Sequence, residues 1–342
     1  MRVFIIAEAG VNHNGSIETA RRLIDEAAMA GADAVKFQTF RAEEIVTRTS
    51  EKADYQIRNT GKDESQYSML KKLELPESGI RELFYYCREK NITFISTPFD
   101  EDSADFLDGL GMTIFKVPSG EITNRGLIKH IAARKKPVML STGMSYIEEV
   151  GKAVAWINEA MGITGNNKLL TLLHCVSNYP ADVDDVNLRA METMRNAFGL
   201  PVGYSDHTRG IDIPVAAAAM GAAVIEKHFT LDRTMAGPDH KASLEPQELR
   251  EMVMAIRNVE RAIGDGIKRP SKNEEHMRDV ARRSLVAARK INAGDTIKPE
   301  DISVKRPGTG IAPEFREEIV NRIAARQIDG DSVIKWEDIK DA

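Results

Sequence analysis

Short apolar runs alternate with longer amphipathic stretches along the first 265 residues of the chain. The runs are rich in Val, Ile and Phe and read as buried parallel strands. They fall at Phe4–Ala7, Ala34–Phe37, Thr93–Ser96, Ile114–Val117, Val138–Ser141, Leu170–His174, Val202–Tyr204 and Ala223–Lys227. The stretches between them carry one apolar face at helical spacing. They fall at Ile17–Ala30, Pro76–Lys90, Asp102–Gly109, Arg125–Ala133, Ile147–Ala160, Leu188–Ala197, Ile213–Met220 and Pro246–Ile263. Eight strands, each followed by a helix, predict an α/β fold closed into a (β/α)8 TIM barrel. An open doubly wound sheet usually has fewer strands at this length. Ser16 and Gly31 suit the two caps of the first helix, and Pro246 suits the first turn of the last.

Two segments break the alternation. The connection Thr39–Leu75 is long, polar and without period, and reads either as a functional loop above the strand ends or as a solvated insertion. Beyond Gly264 the chain becomes charged and carries Gly266, Pro270 and Ser271. This predicts a catalytic domain over 1–265, a linker over 266–283 and a small second domain over 284–342. Few aromatics fall in the last part, so its core should be thin and should lean on a partner surface.

Composition narrows the class. Of 342 residues, 42% are hydrophobic and 29% charged, as in an ordinary globular protein. A net charge of -5 argues against a nucleic-acid binder. Cys87 and Cys175 are the two cysteines; they make neither a disulfide framework nor a cysteine-rich zinc site, so a reducing cytoplasm is expected. No signal peptide is read at the start, and no apolar stretch reaches the ~18 residues of a membrane span.

The polar residues collect at the strand ends, which in a barrel converge on one mouth. They are Glu8, then Lys36 and Gln38, Thr97, Lys116 with Ser119 and Glu121, Ser141, His174 with Ser177 and Tyr179, Ser205 with Asp206 and His207, and Glu226 with His228. Lys36, Lys116, Thr97, Ser119, Ser141 and Ser205 supply the charge and short donors that a phosphorylated carboxylate needs. The Ser119-Gly120 and Ser141-Thr142-Gly143 turns add backbone N–H groups. A lysine there could also form a Schiff base, though charge-rich surroundings would keep it protonated and favour the binding role. His207 and His228 end neighbouring strands, ~4.8 Å apart, so both imidazoles reach one divalent metal and leave positions open on it. Imidazole favours Mn2+ or Co2+ slightly over Mg2+. Asp206 and Glu226 flank the pair as candidates to orient the rings or to act as acid and base. In the turn Gly237–His240, Asp239 reads as a substrate contact and His240 as a surface residue.

These residues lie in segments that resemble the sialic acid synthase family. The segments are Glu8-Ala9-Gly10-Val11-Asn12-His13-Asn14-Gly15, Val35–Thr39, Lys116–Glu121, Ser205–Thr208 and Glu226–Thr230, with Lys305-Arg306-Pro307-Gly308 in the small domain. The resemblance runs along the whole chain and implies a TIM barrel followed by an antifreeze-like (SAF, β-clip type) domain. It implies a domain-swapped homodimer in which the small domain covers the partner's barrel mouth. It implies a metal-dependent enzyme, with Mn2+ first, that joins phosphoenolpyruvate to N-acetylmannosamine and water to give N-acetylneuraminate and phosphate. By position, Lys36, Thr97, Lys116, Ser119, Ser141 and Ser205 match the phosphoenolpyruvate site. Ser177 falls where some members carry Asn. His207 and His228 match the metal ligands. Gln38, Tyr179 and Asp239 match the sugar side, and Arg306 matches an arginine that reaches the partner's sugar. Glu8, Glu121 and Glu226 are the candidates to stabilise the cationic centre or to activate water.

Three alternatives remain at this level. A synthase of legionaminic acid, acting on 2,4-diacetamido-2,4,6-trideoxymannose, shares the same motifs. A phosphoenolpyruvate enzyme acting on a sugar phosphate would show a second set of basic residues, which the sequence lacks. A non-catalytic sugar-binding protein would not need the lysine and histidine pairs.

Overall fold

The eight parallel strands are β1 (Phe4–Gly10), β2 (Ala34–Thr39), β3 (Thr93–Pro98), β4 (Phe115–Val117), β5 (Val138–Ser141), β6 (Leu170–Cys175), β7 (Val202–Asp206) and β8 (Val224–His228). These assignments come from a computed structural model that describes residues 2–61 and 63–341. The ladder order is β3-β2-β1-β8-β7-β6-β5-β4. Strands β3 and β4 also lie side by side, without a ladder between them, so the ring is complete but for one seam. This is the expected barrel.

Alternation along the strands explains both the floor and the mouth. Side chains two apart share a face. Ile6, Ala34, Ile95, Met139, Leu173 and Val224 form an apolar layer inside the ring. Two residues further along each of these strands stand Glu8, Lys36, Thr97, Ser141, Cys175 and Glu226. On β7 the inner layer is supplied by Gly203, where a Cβ would meet Val224 O at 2.4 Å and Leu173 Cδ2 at 2.8 Å. The opposite strand faces join the helices in a large outer core that includes Leu23, Ile24, Phe37, Leu107, Phe115, Leu172, Tyr204 and Ile225. Burying each such Leu, Ile or Phe contributes ~1.5–3 kcal/mol.

Most strands run one to three residues past the apolar runs: β1 ends at Gly10, β2 at Thr39, β6 at Cys175 and β7 at Asp206. Hydrophobicity stops where the barrel floor stops, but the backbone ladder continues through the polar tips. Ser16 caps the first helix (Ile17–Ala30) by accepting from Thr19 N, and Gly31 closes it at φ 81°. The long second connection is not featureless. It holds the short helices Ala42–Ile45, Asp54–Thr60 and Gln66–Leu73, packed around Val11, Phe40, Met69 and Leu73.

The chain divides into two compact units, Met1–Gly264 and Asp265–Ala342. The stretch expected as a linker carries the helix Lys272–Ala281, which buries none of its residues. Charged side chains disguise this helix in the sequence, while Ser271 and Glu274 form a capping box that starts it. The second unit pairs Ser284–Ala287 with Ile302–Lys305 and Ile323–Ala324 with Ile339–Lys340 in small antiparallel ladders. Its core is rich in isoleucine, with Ile291, Ile297, Ile302, Ile311, Ile319 and Ile334 all buried. Among the described residues, no helix is long and apolar enough to cross a membrane.

Candidate active site

The strand tips enclose a cavity of about 400 Å3. It is lined by Glu8, Lys36, Gln38, Thr97, Lys116, Ser119, Ser141, Ser177, Tyr179, Ser205, His207, Glu226 and His228. A larger hollow of about 600 Å3 lies next to it and shares Met144 and Cys175 with it. That neighbour is lined by residues that include Met144, Tyr146, Ile147, His174 and Arg189, and among the described residues its lining makes no ion pair. The chemistry therefore points to the smaller cavity.

Its floor is a buried array of two carboxylates and two ammonium groups. Lys116 Nζ donates to both oxygens of Glu226, at 2.8 and 3.1 Å. Ser205 Oγ donates to Glu226 Oε1 at 2.8 Å, and Lys36 Nζ stands 3.7 Å from Oε2. Lys36 donates to Thr97 Oγ1 at 3.1 Å. Its ammonium is also 2.8 Å from Glu8 Oε2, forming a buried ion pair. Gln38 Nε2 reaches the other oxygen of Glu8 weakly, at 3.4 Å.

The two carboxylates consequently differ. Burial pushes Glu8 up to about 7; Lys36 opposes the rise and Glu226 adds to it. Burial acts on Glu226 in the same direction, but Lys116 and Lys36 outweigh it and hold that carboxyl well below the usual range. Lys36 is pushed the other way by burial, yet Glu226 and Glu8 keep it protonated. Glu226 is thus a fixed anion between two cations, while Glu8 is poised to exchange a proton near neutrality. A Schiff-base role for Lys36 finds no support, because that needs a neutral amine.

The other wall is aromatic and imidazole-rich. The rings of His207 and His228 are 5.4 Å apart. His207 Nδ1 donates to Val176 O, which leaves the Nε2 lone pair free. His228 Nδ1 is buried with no hydrogen-bond partner and lies 3.9 Å from Asp239 Oδ2. Burial lowers both imidazoles, His207 to about 4 and His228 well below its ordinary value. Two neutral buried imidazoles with unused lone pairs fit a divalent cation. Among the described residues no group of three or more His, Cys, Asp or Glu is placed to hold one, so other positions on an ion would fall to water or substrate. Tyr179 packs 4.1 Å from the His207 ring and 5.0 Å from Tyr55.

The NeuB family model matches residues 23–268, and the SAF domain model matches residues 282–340. The chain belongs to the NeuB family. This NeuB-family chain is 48% identical to the N,N'-diacetyllegionaminic acid synthase of Campylobacter jejuni, over 98% of its length and 99% of that protein. It is 47% identical to the enzyme of the same name from Legionella pneumophila, over 99% of its length and 95% of that protein. The crystal structure of an N-acetylneuraminic acid (sialic acid) synthetase from Leptospira borgpetersenii, in complex with citrate, matches with a TM-score of 0.70 at 36% identity. That match covers 81% of this chain and 90% of the other.

Not every residue singled out from the sequence reaches the cavity. Asp239 stands behind it, buried beside His228, and burial pushes its carboxyl up to about 6. Glu121 does not line it; its carboxylate accepts from Asn124 Nδ2 at 2.7 Å. Arg306 is exposed on the second unit. Asp206 does not hydrogen-bond either imidazole, as an acid–base group would: it points outward and pairs with Lys227. His174 likewise turns away and meets Val186 O. His240 is fully buried rather than on the surface, with Thr230 Oγ1 2.7 Å from Nδ1.

Five lining residues were not anticipated: Tyr55, Gln66, Phe99, Met144 and Cys175. Cys175 was accessible to reasoning, since it stands two residues after the inward Leu173. Tyr55 and Gln66 belong to the long second connection, whose length was the available signal. Lys52 ties that connection together by donating to Thr60 Oγ1 at 2.9 Å and to Gly61 O at 3.2 Å. Asn59 Nδ2 donates to Pro238 O at 2.6 Å, anchoring it to the turn that carries Asp239.

Proposed function

We propose that this chain condenses phosphoenolpyruvate with 2,4-diacetamido-2,4,6-trideoxymannose and water, giving N,N'-diacetyllegionaminic acid and phosphate. The observation that carries the reaction class is the pairing of Lys36 and Lys116, with Thr97, Ser119, Ser141 and Ser205 around them, opposite two neutral imidazoles in one cavity. A small polyanion fits the first half and a polarised carbonyl fits the second. The choice of sugar follows sequence identity, 48% and 47% to the two diacetyllegionaminic acid synthases against 36% to the sialic acid synthetase. N-acetylmannosamine, the first expectation from the motifs, becomes the second reading.

The chemistry follows from the groups in place. The lysines, hydroxyls and the Ser141–Gly143 turn bind the carboxylate and phosphate of phosphoenolpyruvate and fix its C3 towards the imidazole wall. A C–C bond forms between that C3 and the aldehyde carbon of the open-chain sugar, and the aldehyde oxygen takes up a proton. Glu226, held as an anion, stabilises positive charge developing at C2. Water adds to C2 and Glu8 accepts one of its protons; the C2–O bond to phosphate then breaks, and the remaining hydroxyl proton passes to the departing phosphate, to leave a 2-keto acid. His207 and His228 would hold a divalent cation, with manganese first and cobalt or magnesium next, which when bound supplies Lewis-acid polarisation of a carbonyl. Gln38, Tyr179 and Tyr55 face the sugar side, with Asp239 behind them beside His228.

A homodimer in which Arg306 serves the partner's cavity is supported by its exposure and by the uncovered helix Lys272–Ala281, where Met277 and Val280 are half exposed. A cytoplasmic setting is supported by Cys87 and Cys175, both buried and unpaired.

The test is phosphate release from phosphoenolpyruvate with Mn2+, offering each sugar in parallel, with a chelator control. Release that is faster with the diacetamido sugar and lost on chelation is expected. Faster release with N-acetylmannosamine would exchange the two readings. A folded, metal-loaded protein that releases phosphate with neither sugar would overturn the assignment.

A further inference from the structure

Strands β7 and β8 carry a second buried ion pair that the condensation does not use. Asp206 and Lys227 are register partners across the two strands, and both side chains are 0% exposed. Lys227 Nζ donates to Asp206 Oδ2 and to Thr208 O. Asp206 also accepts from Thr208 N and Thr208 Oγ1, each at 3.0 Å. The three residues therefore lock β7, the turn after it and β8 to one another. In the chain, the residue after Asp206 is His207 and the residue after Lys227 is His228. Successive strand side chains point to opposite faces, so the pair faces the helices while both imidazoles face the cavity.

We propose that Asp206, Lys227 and Thr208 form a clasp that positions His207 and His228 for a shared divalent cation. An ion pair with no exposure is an inefficient way to gain stability, because apolar residues of similar volume serve as well or better. What it supplies is a fixed register: neither charge can leave its partner, so the two strand ends cannot slide or splay. A pair of imidazoles binding one ion needs that constancy, since misplacement of a ligand by less than an ångström weakens binding. His207 is restrained a second time by its Nδ1 bond to Val176 O. His228 Nδ1 has no such bond, so the orientation of His228 depends on the strand end that the clasp holds. The inference rests on reading the histidine pair as a metal site.

The experiment measures Mn2+ binding to the whole protein without substrates, by the electron paramagnetic resonance signal of free Mn2+, beside thermal unfolding. The variants are the double substitution Asp206→Leu with Lys227→Met, the milder Thr208→Val, and the control His207→Ala. The double variant removes both charges together and is expected to unfold within a few degrees of wild type. Its Mn2+ Kd is expected to rise about 10- to 100-fold, the range for groups that orient metal ligands. Thr208→Val leaves both charges in place and is expected to raise Kd severalfold, which tests the clasp even if the double variant does not fold. A wild-type site abolished by His207→Ala yet unmoved by the clasp variants would overturn the clasp alone. A wild type that binds no Mn2+ would overturn the metal reading, and the clasp with it.

Discussion

Replacing Glu8 by Gln keeps the shape of a fully buried side chain and removes its titration. Burial raises Glu8 from an ordinary 4.5 to about 7. At ~1.4 kcal/mol for each tenfold change in proton affinity, that rise corresponds to about 3 kcal/mol. Between the two values the unfolded chain has released the proton while the folded protein retains it, so this contribution to stability falls as pH rises. It is complete below about 4.5 and gone above about 7. The Gln variant lacks the term. Its stability relative to wild type should therefore improve by up to about 3 kcal/mol as pH is raised through this window, read by urea unfolding at several pH values. The groups nearest Glu8 are Lys36, Glu226 and Lys116. Lys36, whose proton affinity is raised by Glu226 and Glu8, keeps its charge through this window, and Glu226 is held ionised. In the assay for phosphate release, wild type should show an inflection near 7 that the variant lacks. Loss of a positioned acid–base group should lower kcat about 100- to 10,000-fold. A Glu8→Gln protein with the wild-type rate and the wild-type inflection would refute the reasoning.

Two further outcomes follow from the cavity walls. A Cβ at Gly143 would stand 2.3 Å from Ser177 Oγ, 2.9 Å from Ser119 Oγ and 3.0 Å from Cys175 Sγ. Gly143→Ala should therefore push these groups apart at a cost of about 1–3 kcal/mol, raising the KM for phosphoenolpyruvate by ~5- to 150-fold and sparing the KM for sugar; equal KM values for phosphoenolpyruvate would count against the contact. Tyr55 packs on Tyr179 at 5.0 Å from the long second connection. Tyr55→Ala removes an aromatic pair worth ~0.5–1.5 kcal/mol and should raise the sugar KM by up to about 10-fold while phosphoenolpyruvate kinetics stay unchanged; the reverse pattern would move Tyr55 to the other half of the site.

The barrel was legible because its two periods are strong. Apolar runs of three to five residues between amphipathic helices leave few alternatives once eight of them are counted. The candidate residues were legible for a related reason: a Lys, Glu or His at the end of an apolar strand is costly to bury unless it is paired or used. Lys36, Lys116, Glu226, His207 and His228 stood out in this way, and they line one cavity. The helix Lys272–Ala281 was missed because it buries no face, so its sequence carries no apolar stripe to betray it.

What the sequence left open is which way each polar tip points. Barrel strands are buried on both faces, so hydrophobicity does not mark the inner one. On β7, the outward residues Val202 and Tyr204 are large and apolar, while the inward position is Gly203, which packs without a side chain. Nothing in that string says that Ser205 and His207 face the cavity while Asp206 faces the helices. Ladder register with β6 and β8 decides it, because a one-residue change of parity exchanges every side chain between the two faces. The raised proton affinity of Glu8 is decided in the same way. Residue type supplied a carboxyl group at a strand end; burial with Glu226 nearby raised this one, while Lys116, Lys36 and Ser205 gathered on Glu226 and held that one ionised.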